Sequence, residues 1–237
     1  MRRFFRNSED KQGNDIIIQG DDFRHMKHAL RLNDGDEVRI VIDGMIYICT
    51  LSFQEDRAIG HIIDIEEKSY ESPLKIHLYQ GILKGDHMDF VLQKSTELGI
   101  TKISPLETER TIVRLNEKKY QKRKKRYEKI VEEAAKQSKR TVIPEIGNLC
   151  QLKDIQEELI ICGYEKDQSR NLRQIIKEID REEIAIVIGP EGGFSAKEID
   201  LLKGKGAKIA DFGPRILRGE TAPLFLISVL QYELGDL

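Results

Sequence analysis

Residues 184–200 read IAIVIGPEGGFSAKEID, and this stretch sets the fold class. Ile184 to Ile188 is a short apolar run without polar alternation, the pattern of a strand buried on both faces. It leads into Gly189, Gly192 and Gly193, which let the backbone turn tightly and approach a ligand closely. A helix start follows: Ser195 and Glu198 have capping-box spacing, and Phe194 and Ile199 flank them as a hydrophobic staple. The turn is not a Walker loop, because no Gly-Lys-Ser/Thr follows, and it lacks the G-x-G-x-x-G spacing of a dinucleotide fingerprint. A structural strand-to-helix connection and a ligand cradle both fit it.

Outward from this turn, strands and helices alternate. Strands are predicted at Lys75–Gln80, Lys102–Pro105, Leu159–Cys162, Ile184–Ile188 and Lys208–Phe212, with helices near Asp86–Leu98, Lys118–Lys139, Asn171–Ile179, Ser195–Lys203 and Thr221–Leu234. This is the signature of an α/β domain with a mainly parallel sheet, in which ligands bind beyond the carboxyl ends of the strands. A second turn therefore stands out, Phe212-Gly-Pro-Arg-Ile-Leu-Arg-Gly-Glu-Thr-Ala222, with two arginines and a glutamate set among small and apolar residues. The helix after it is apolar almost all round, so it must be covered on several sides, by its own domain or by a second subunit.

The first 72 residues differ. Asp15–Gln19, Glu37–Ile42, Met45–Ser52 and Ala58–Ile65 are short β-branched segments bounded by turn signals such as Asn33-Asp34-Gly35 and Asp43-Gly44, which predicts a small β-barrel. One helix is expected within it at Asp21–Leu32, capped by Asp21 or Asp22, with Phe23, Met26, Ala29 and Leu30 on its apolar side. The polar stretch Glu66–Ser72 before Pro73 marks the boundary, giving domains at 1–72 and 73–237.

The chain has 237 residues, 34% of them charged and 39% apolar, which suits a folded protein with a real core. No apolar run is long enough for a membrane span, and the opening MRRFFRNSEDKQG has no apolar segment behind its basic head, so a cytoplasmic location is expected. Cys49, Cys150 and Cys162 are too scattered for a disulfide framework or a cysteine zinc site and are expected to be fillers. The net charge of −2 hides an uneven distribution: residues 110–140 hold 13 Lys/Arg against 4 Asp/Glu, an excess of +9. At helical spacing, Tyr127, Ile130, Val131, Ala134, Ala135 and Ser138 form one stripe and most of the cations lie off it. Such a basic face is the footprint expected for a phosphate backbone. Arg2, Arg3, Arg6, Arg24, Lys27 and Arg31 form a second basic group in the otherwise acidic amino-terminal domain.

Taken together, Gln93-Lys-Ser-Thr-Glu-Leu-Gly99, Gln137-Ser-Lys-Arg140, Gly189–Ser195 and Gly213–Ala222 resemble the RsmE family, the 16S ribosomal RNA uridine-N3 methyltransferases. The likeness spans the whole chain, including Arg2-Arg3-Phe4-Phe5 and His28-Ala29-Leu30-Arg31. It implies a SPOUT-class α/β domain whose chain threads a trefoil knot, preceded by a PUA-like barrel. It also implies S-adenosylmethionine as cofactor, no metal, and 16S rRNA as partner, within the 30S subunit, with the uridine conventionally numbered 1498 as target. A homodimer is expected, with Leu226, Val229 and Leu230 as candidate contacts. Two positions depart from the family's pattern: Gly219 stands where Thr is more usual, and Pro223 follows Glu220-Thr221-Ala222.

The resemblance assigns the cofactor to Ile188, Gly189, Glu191, Gly192, Gly193, Phe212, Gly213, Ile216, Leu217, Arg218 and Thr221, with Cys162 and Gly163 as a further wall. The uridine N3 proton has to leave before or during attack, so a base or a charge stabiliser is expected. Arg218 is the candidate stabiliser, and Glu97, Glu191 and Glu220 are candidates to accept the proton or orient Arg218. RNA contacts are assigned to Arg2, Arg3, Arg6, Arg24, Arg31, Lys122, Arg123, Lys124, Arg126 and Arg140. His25, His28, His61, His77 and His87 show no metal spacing and read as ordinary residues. Competing readings are a ribose 2′-O-methyltransferase on the same scaffold, a non-catalytic RNA-binding protein, and a phosphate-ligand enzyme using the helix start at Ser195.

Overall fold

The computed structural model describes residues 2–164 and 170–237. Two compact units emerge, one made of residues 1–71 with 135–142, the other of 72–134 with 143–237.

The first unit holds strands β1 (Arg3–Phe5), β2 (Lys11–Gln12), β3 (Asp15–Ile18), β4 (Glu37–Ile42), β5 (Met45–Phe53) and β6 (Ala58–Glu66) in one sheet, ordered β1-β4-β5-β6-β3-β2. All pairings are antiparallel except β1 with β4. Alternate residues of these strands, among them Ile16, Ile18, Val38, Ile40, Cys49 and Leu51, share one core with Phe23 and Met26. A single sheet can bury one face against itself only by curling, and a register shift at Ile48/Cys49 in β5 supplies added twist. Hydrogen bonding leaves β1 and β2 as the two edges.

The helix expected at Asp21–Leu32 is shorter and starts earlier. An α-helical segment, α1 (Gly20–Arg24), capped at Gln19 and not at either aspartate, widens into a π-turn over His25–Ala29. The wider turn rotates Ala29 out to solvent while Phe23 and Met26 stay buried. The strand at Arg3–Phe5 has no sequence signal beyond its two phenylalanines, and it is held by register with Arg39–Val41.

The segment 135–142 is tied to the first unit by polar contacts. Glu71 accepts from Arg140 Nε at 3.0 Å, from Thr141 N at 2.7 Å and from Val142 N at 3.0 Å. Arg3 donates to the Lys139 carbonyl and, at 3.0 Å, to that of Arg140, and its guanidinium lies 4.9 Å from the Tyr70 ring centroid. Burial holds the Arg3 pKa below its usual value.

The second unit is a parallel sheet of β7 (Lys75–Gly81), β8 (Lys102–Leu106), β9 (Glu145–Ile146), β10 (Ile160–Gly163), β11 (Glu183–Ile188) and β12 (Lys208–Ala210), ordered β12-β10-β11-β7-β8-β9. The apolar run in β11 divides by alternation. Ile184, Ile186 and Ile188 pack under α2 (His87–Glu97), α3 (Glu117–Ser138), α4 (Leu172–Ile176) and α6 (Thr221–Leu234), and Ala185 and Val187 pack under α5 (Ala196–Gly204). Helices on both faces are what a parallel sheet requires.

In α3, Tyr127, Val131, Ala134 and Ala135 are buried and most of the cations are exposed, as the stripe predicts. In α6, Leu226 and Leu230 are fully buried in the chain's own core, so they are not available as subunit contacts; Val229 is partly buried against the same core. Outward from α6 point Phe225 and Tyr232, the latter 72% exposed. Pro223 lies in the first turn of α6, where no intrahelical bond is lost. Cys49 and Cys162 are buried and Cys150 is half-buried; burial pushes the Cys49 and Cys150 thiols up to about 12, leaving them unreactive. Among the described residues no helix is long and apolar enough to cross a membrane.

Candidate active site

Three adjacent strands, β12, β10 and β11, deliver their carboxyl ends to one cavity of about 520 Å3. Its walls are Gly163 and Tyr164 at the end of β10, Ile188 to Phe194 at the end of β11, and Asp211 to Gly213 with Arg215 to Glu220 after β12, closed by His87 and Ala222. The two turns singled out by the sequence, more than twenty residues apart along the chain, thus become opposite walls of one pocket.

Each wall is shaped by side chains packed closely on glycine backbone. A Cβ on Gly163 would sit 2.5 Å from the Phe212 ring, and one on Gly192 would sit 3.0 Å from Arg110 Cβ. Beneath the pocket, a Cβ on Gly81 at the end of β7 would press into Pro190 and Gly189. Gly193 and Gly213 are required for a different reason: their φ values of +64° and +103° lie in the region that favours glycine, and a Cβ there would meet no protein atom.

Hydrogen bonds lock the turns. Gly193 N donates to Pro190 O at 2.8 Å, Arg110 Nη1 to Gly192 O at 2.9 Å, and Lys84 N to Glu191 Oε1 at 2.9 Å. Ser195 caps α5 by accepting from Glu198 N, and Glu198 reciprocates by accepting from Ser195 N at 2.8 Å. In the second turn Gly213 N donates to Asp211 Oδ1 at 3.1 Å, and the Arg218 carbonyl accepts from Thr221 N and Ala222 N, both at 2.9 Å. Buried Gln80 donates to the Gly81 carbonyl at 3.0 Å and reaches toward that of Gly219 at 3.5 Å. A Cβ on Gly219 would meet the flexible end of Leu83 at 2.9 Å, so the absence of a side chain here spares a tight contact.

The polar groups at the mouth form a chain. Glu220, largely buried, lies 3.4 Å from His87 Nδ1 and 3.9 Å from Arg218 Nη1. Arg218 is 82% exposed on its side chain, and Ile216, 83% exposed, is a large apolar residue left bare beside it.

The cavity gathers eleven of the thirteen residues assigned to the cofactor. Cys162 is not among them: strand alternation turns its side chain into the core under α5, away from the wall made by its neighbour Gly163. Thr221 is also absent from the lining; it opens α6 and serves the turn through its backbone N–H. Of the candidate catalytic residues, Arg218, Glu191 and Glu220 line the cavity. Glu97 does not. It closes α2 at the end opposite His87, about 15 Å along the axis at ~1.5 Å per residue, and pairs with Lys94 at 2.8 Å. Residues at the wall or rim without a sequence signal are His87, Lys84, Arg110, Tyr164 and Asp211, all brought in by tertiary packing.

The basic residues divide as well. Lys122 and Arg126 lie on the exposed face of α3, Arg123 and Lys124 are half-buried at its edge, and Arg126 also pairs with Asp89. Arg2, Arg24 and Arg31 are exposed, Arg24 pairing with Asp21. Arg3 and Arg140 are 7% and 4% exposed and committed to the contacts around Lys139 and Glu71, so they are structural and not RNA ligands. Arg6 is held between Asp10 and Asp22 at 3.0 and 3.4 Å, so its guanidinium is already ion-paired.

Comparison with known proteins agrees with this geometry. Residues 70–231 match the RNA methyltransferase domain family, and residues 18–63 match the RNA methyltransferase PUA domain. The ribosomal RNA small subunit methyltransferase E of Bacillus subtilis is 30% identical over 228 residues, covering 91% of this chain and 89% of its own. That of Aquifex aeolicus is 31% identical, covering 94% and 96%. The crystal structure of the ribosomal RNA small subunit methyltransferase E from Neisseria gonorrhoeae bound to S-adenosyl methionine superposes with a TM-score of 0.88 at 32% identity, covering 100% of this chain and 99% of that one. A putative methyltransferase from Legionella pneumophila, in complex with the bound cofactor SAM, gives 0.90 at 33% identity over 99% and 98%. By its sequence and its fold, this chain belongs to the ribosomal RNA small subunit methyltransferase E family.

Proposed function

We propose that the chain transfers the methyl group of S-adenosylmethionine to N3 of one uridine in 16S rRNA, the position conventionally numbered 1498, and that it does so in the cytoplasm on the 30S subunit. The observation that carries the reading is the convergence of the two glycine-bearing turns on one cavity. The cavity suits the cofactor: glycine backbone on one side, apolar Ile188 and Leu217 for a flat ring, and exposed Ile216 placed to gain cover from a ligand.

S-adenosylmethionine, when bound, supplies an already activated methyl group, so the residues around it need only hold, align and shield. Gly189, Gly192 and Gly193 offer close backbone approach on one wall, and Phe212, Gly213 and Leu217 offer it on the other. Arg218, at the cavity mouth, stabilises negative charge developing on the uracil ring. The return of the chain from edge strand β12 to α6, which packs on β11 and β7, is where we read the trefoil knot expected of this class.

RNA phosphates are read by Lys122, Arg123, Lys124 and Arg126 of α3, with Arg2, Arg24 and Arg31 of the PUA-like domain at 1–72, while 73–237 is the methyltransferase domain. A homodimer forms through the outward side of α6, where Tyr232 is exposed and Phe225 partly so. The test is to incubate the protein with labelled S-adenosylmethionine and either free 16S rRNA or 30S subunits and map the product. Label on uracil N3 at a single site supports the reading. Label on a ribose 2′-oxygen would assign the alternative chemistry, and absence of cofactor binding would leave only an RNA-binding protein.

A further inference from the structure

We propose that His87 is the proton acceptor of the methyl transfer, with its ring oriented by Glu220; this rests on the uridine-N3 reading above. His87 is the first residue of α2, lines the cavity and is half-exposed, so an entering base can reach its ring. Its Nδ1 faces Glu220 Oε1 at 3.4 Å. A carboxylate on that side favours the tautomer with the proton on Nδ1, which leaves Nε2 as a free acceptor.

The other cavity residues are less suited. Glu191 accepts from Lys84 N and Asp211 from Gly213 N, so both carboxylates are already engaged as turn supports. An ordinary carboxylate is also a weak base at neutral pH, whereas an imidazole exchanges its proton between about pH 5 and 8. Arg215 and Arg218 can only donate. The charged groups that share the cavity with His87 are Glu220 at the start of α6, Arg218 and Arg215 in the turn before it, Asp211 after β12 and Glu191 in the β11 turn, and Lys84 and Asp86 precede it in the chain.

The step balances. The N3–H bond of uracil breaks and its proton passes to His87 Nε2. The electron pair left on N3 forms the new N–CH3 bond as the S–CH3 bond breaks, its electrons returning to sulfur to give a neutral thioether. Glu220 then faces an imidazolium, and Arg218 faces the oxygen on which ring charge collects during transfer. The proton leaves to water on product release.

Single-turnover methylation of 16S rRNA or 30S subunits by wild type, H87Q and H87A, measured from pH 5.5 to 8.5, tests this. H87Q should lose roughly a hundredfold in rate near neutral pH, and the acid limb of the wild-type profile should vanish with it. Added imidazole should restore part of the H87A rate. Affinity for S-adenosylhomocysteine by calorimetry and for RNA by filter binding should stay within about twofold of wild type, which separates proton transfer from binding. H87Q with the wild-type rate and profile would overturn the assignment while leaving the methyltransferase reading intact, and so would a rate loss fully accounted for by weaker binding. A wild-type protein that transfers no methyl group would overturn both.

Discussion

The substitution Gly81→Ala isolates how far the cofactor turn depends on what lies beneath it. Gly81 ends β7, outside the cavity lining, and touches no candidate ligand. A methyl group added there would lie 2.6 Å from Pro190 Cδ and 2.7 Å from the Gly189 carbonyl carbon, with Pro190 N nearer still. These are atoms of the turn's backbone and of a proline ring, so no side-chain rotation relieves them. Ordinary contact begins at 3.4 Å, so the turn has to retreat by roughly 0.8 Å from Cδ alone. Overpacking of a filled interior costs about 1–3 kcal/mol. Displacement of a positioning wall by about 1 Å can cost ~100-fold in rate. Gly204→Ala is the matched control: Gly204 ends α5 with nothing within 4 Å of its would-be Cβ, and the change there should be neutral or slightly stabilising. Thermal unfolding would report the stability difference, and calorimetry with S-adenosylhomocysteine the affinity, which should fall at least tenfold in Gly81→Ala. Wild-type melting temperature and wild-type affinity in Gly81→Ala would refute the claim that the β7 end buttresses the turn.

Three further outcomes are expected. Arg218→Ala should slow single-turnover methylation about a hundredfold with cofactor affinity retained, because its guanidinium is exposed at the mouth; a normal rate would make it a clamp on its own turn. Replacing Lys122, Arg123, Lys124 and Arg126 together by Ala should weaken RNA binding and flatten its salt dependence by roughly 0.7 to 0.9 of a log–log unit for each phosphate no longer neutralised, and an unchanged slope would return α3 to a merely solvated face. Stability should fall on acidification below about pH 6.5. His77 is driven below its usual pKa by burial, against the pull of Glu157. Burial alone would raise Glu157, but the hydrogen bonds from Tyr79 and the contact with His77 leave it below the usual carboxylate range. With both folded-state values depressed, each contribution is present above the unfolded value and lost as pH falls. Calorimetric melting from pH 7.5 to 4 should show the decline, His77→Gln should remove its upper part, and a melting temperature that rises on acidification would contradict the assignment.

What could be read from the chain, and what could not, follows the difference between local and distant constraints. The β11 strand, its glycine turn and the Ser195–Glu198 cap are written within seventeen consecutive residues, and each depends only on neighbours. Cys162 and Gly163 lie at the other limit of local legibility. The two-residue period puts Ile160 and Cys162 on one face and Ile161 and Gly163 on the other, so the alternation alone separates them once the strand is placed. Glu97 is separable in the same way once the helix is placed, since ten helical steps divide it from the end that meets the turns. In α6 the sequence had no phase to offer. When nearly every position is apolar, a 3.6-residue period cannot say which side is inward, and only packing against α2, β7 and β11 selects Leu226 and Leu230.

Charge is the hardest property to read in one dimension. Arg3 and Arg140 look like the cations of α3, yet a carboxylate and two carbonyls more than sixty residues away make them part of the framework. His87 is the converse. Nothing near it in sequence distinguishes it from four other histidines, and its meaning comes from Glu220, 133 positions later, delivered by the same chain return that brings Arg218 to the cavity. The fold therefore does more than position residues already marked as functional: by joining the start of α2 to the start of α6, it converts an unremarked imidazole, a carboxylate and a guanidinium into one polar array at the mouth of the pocket.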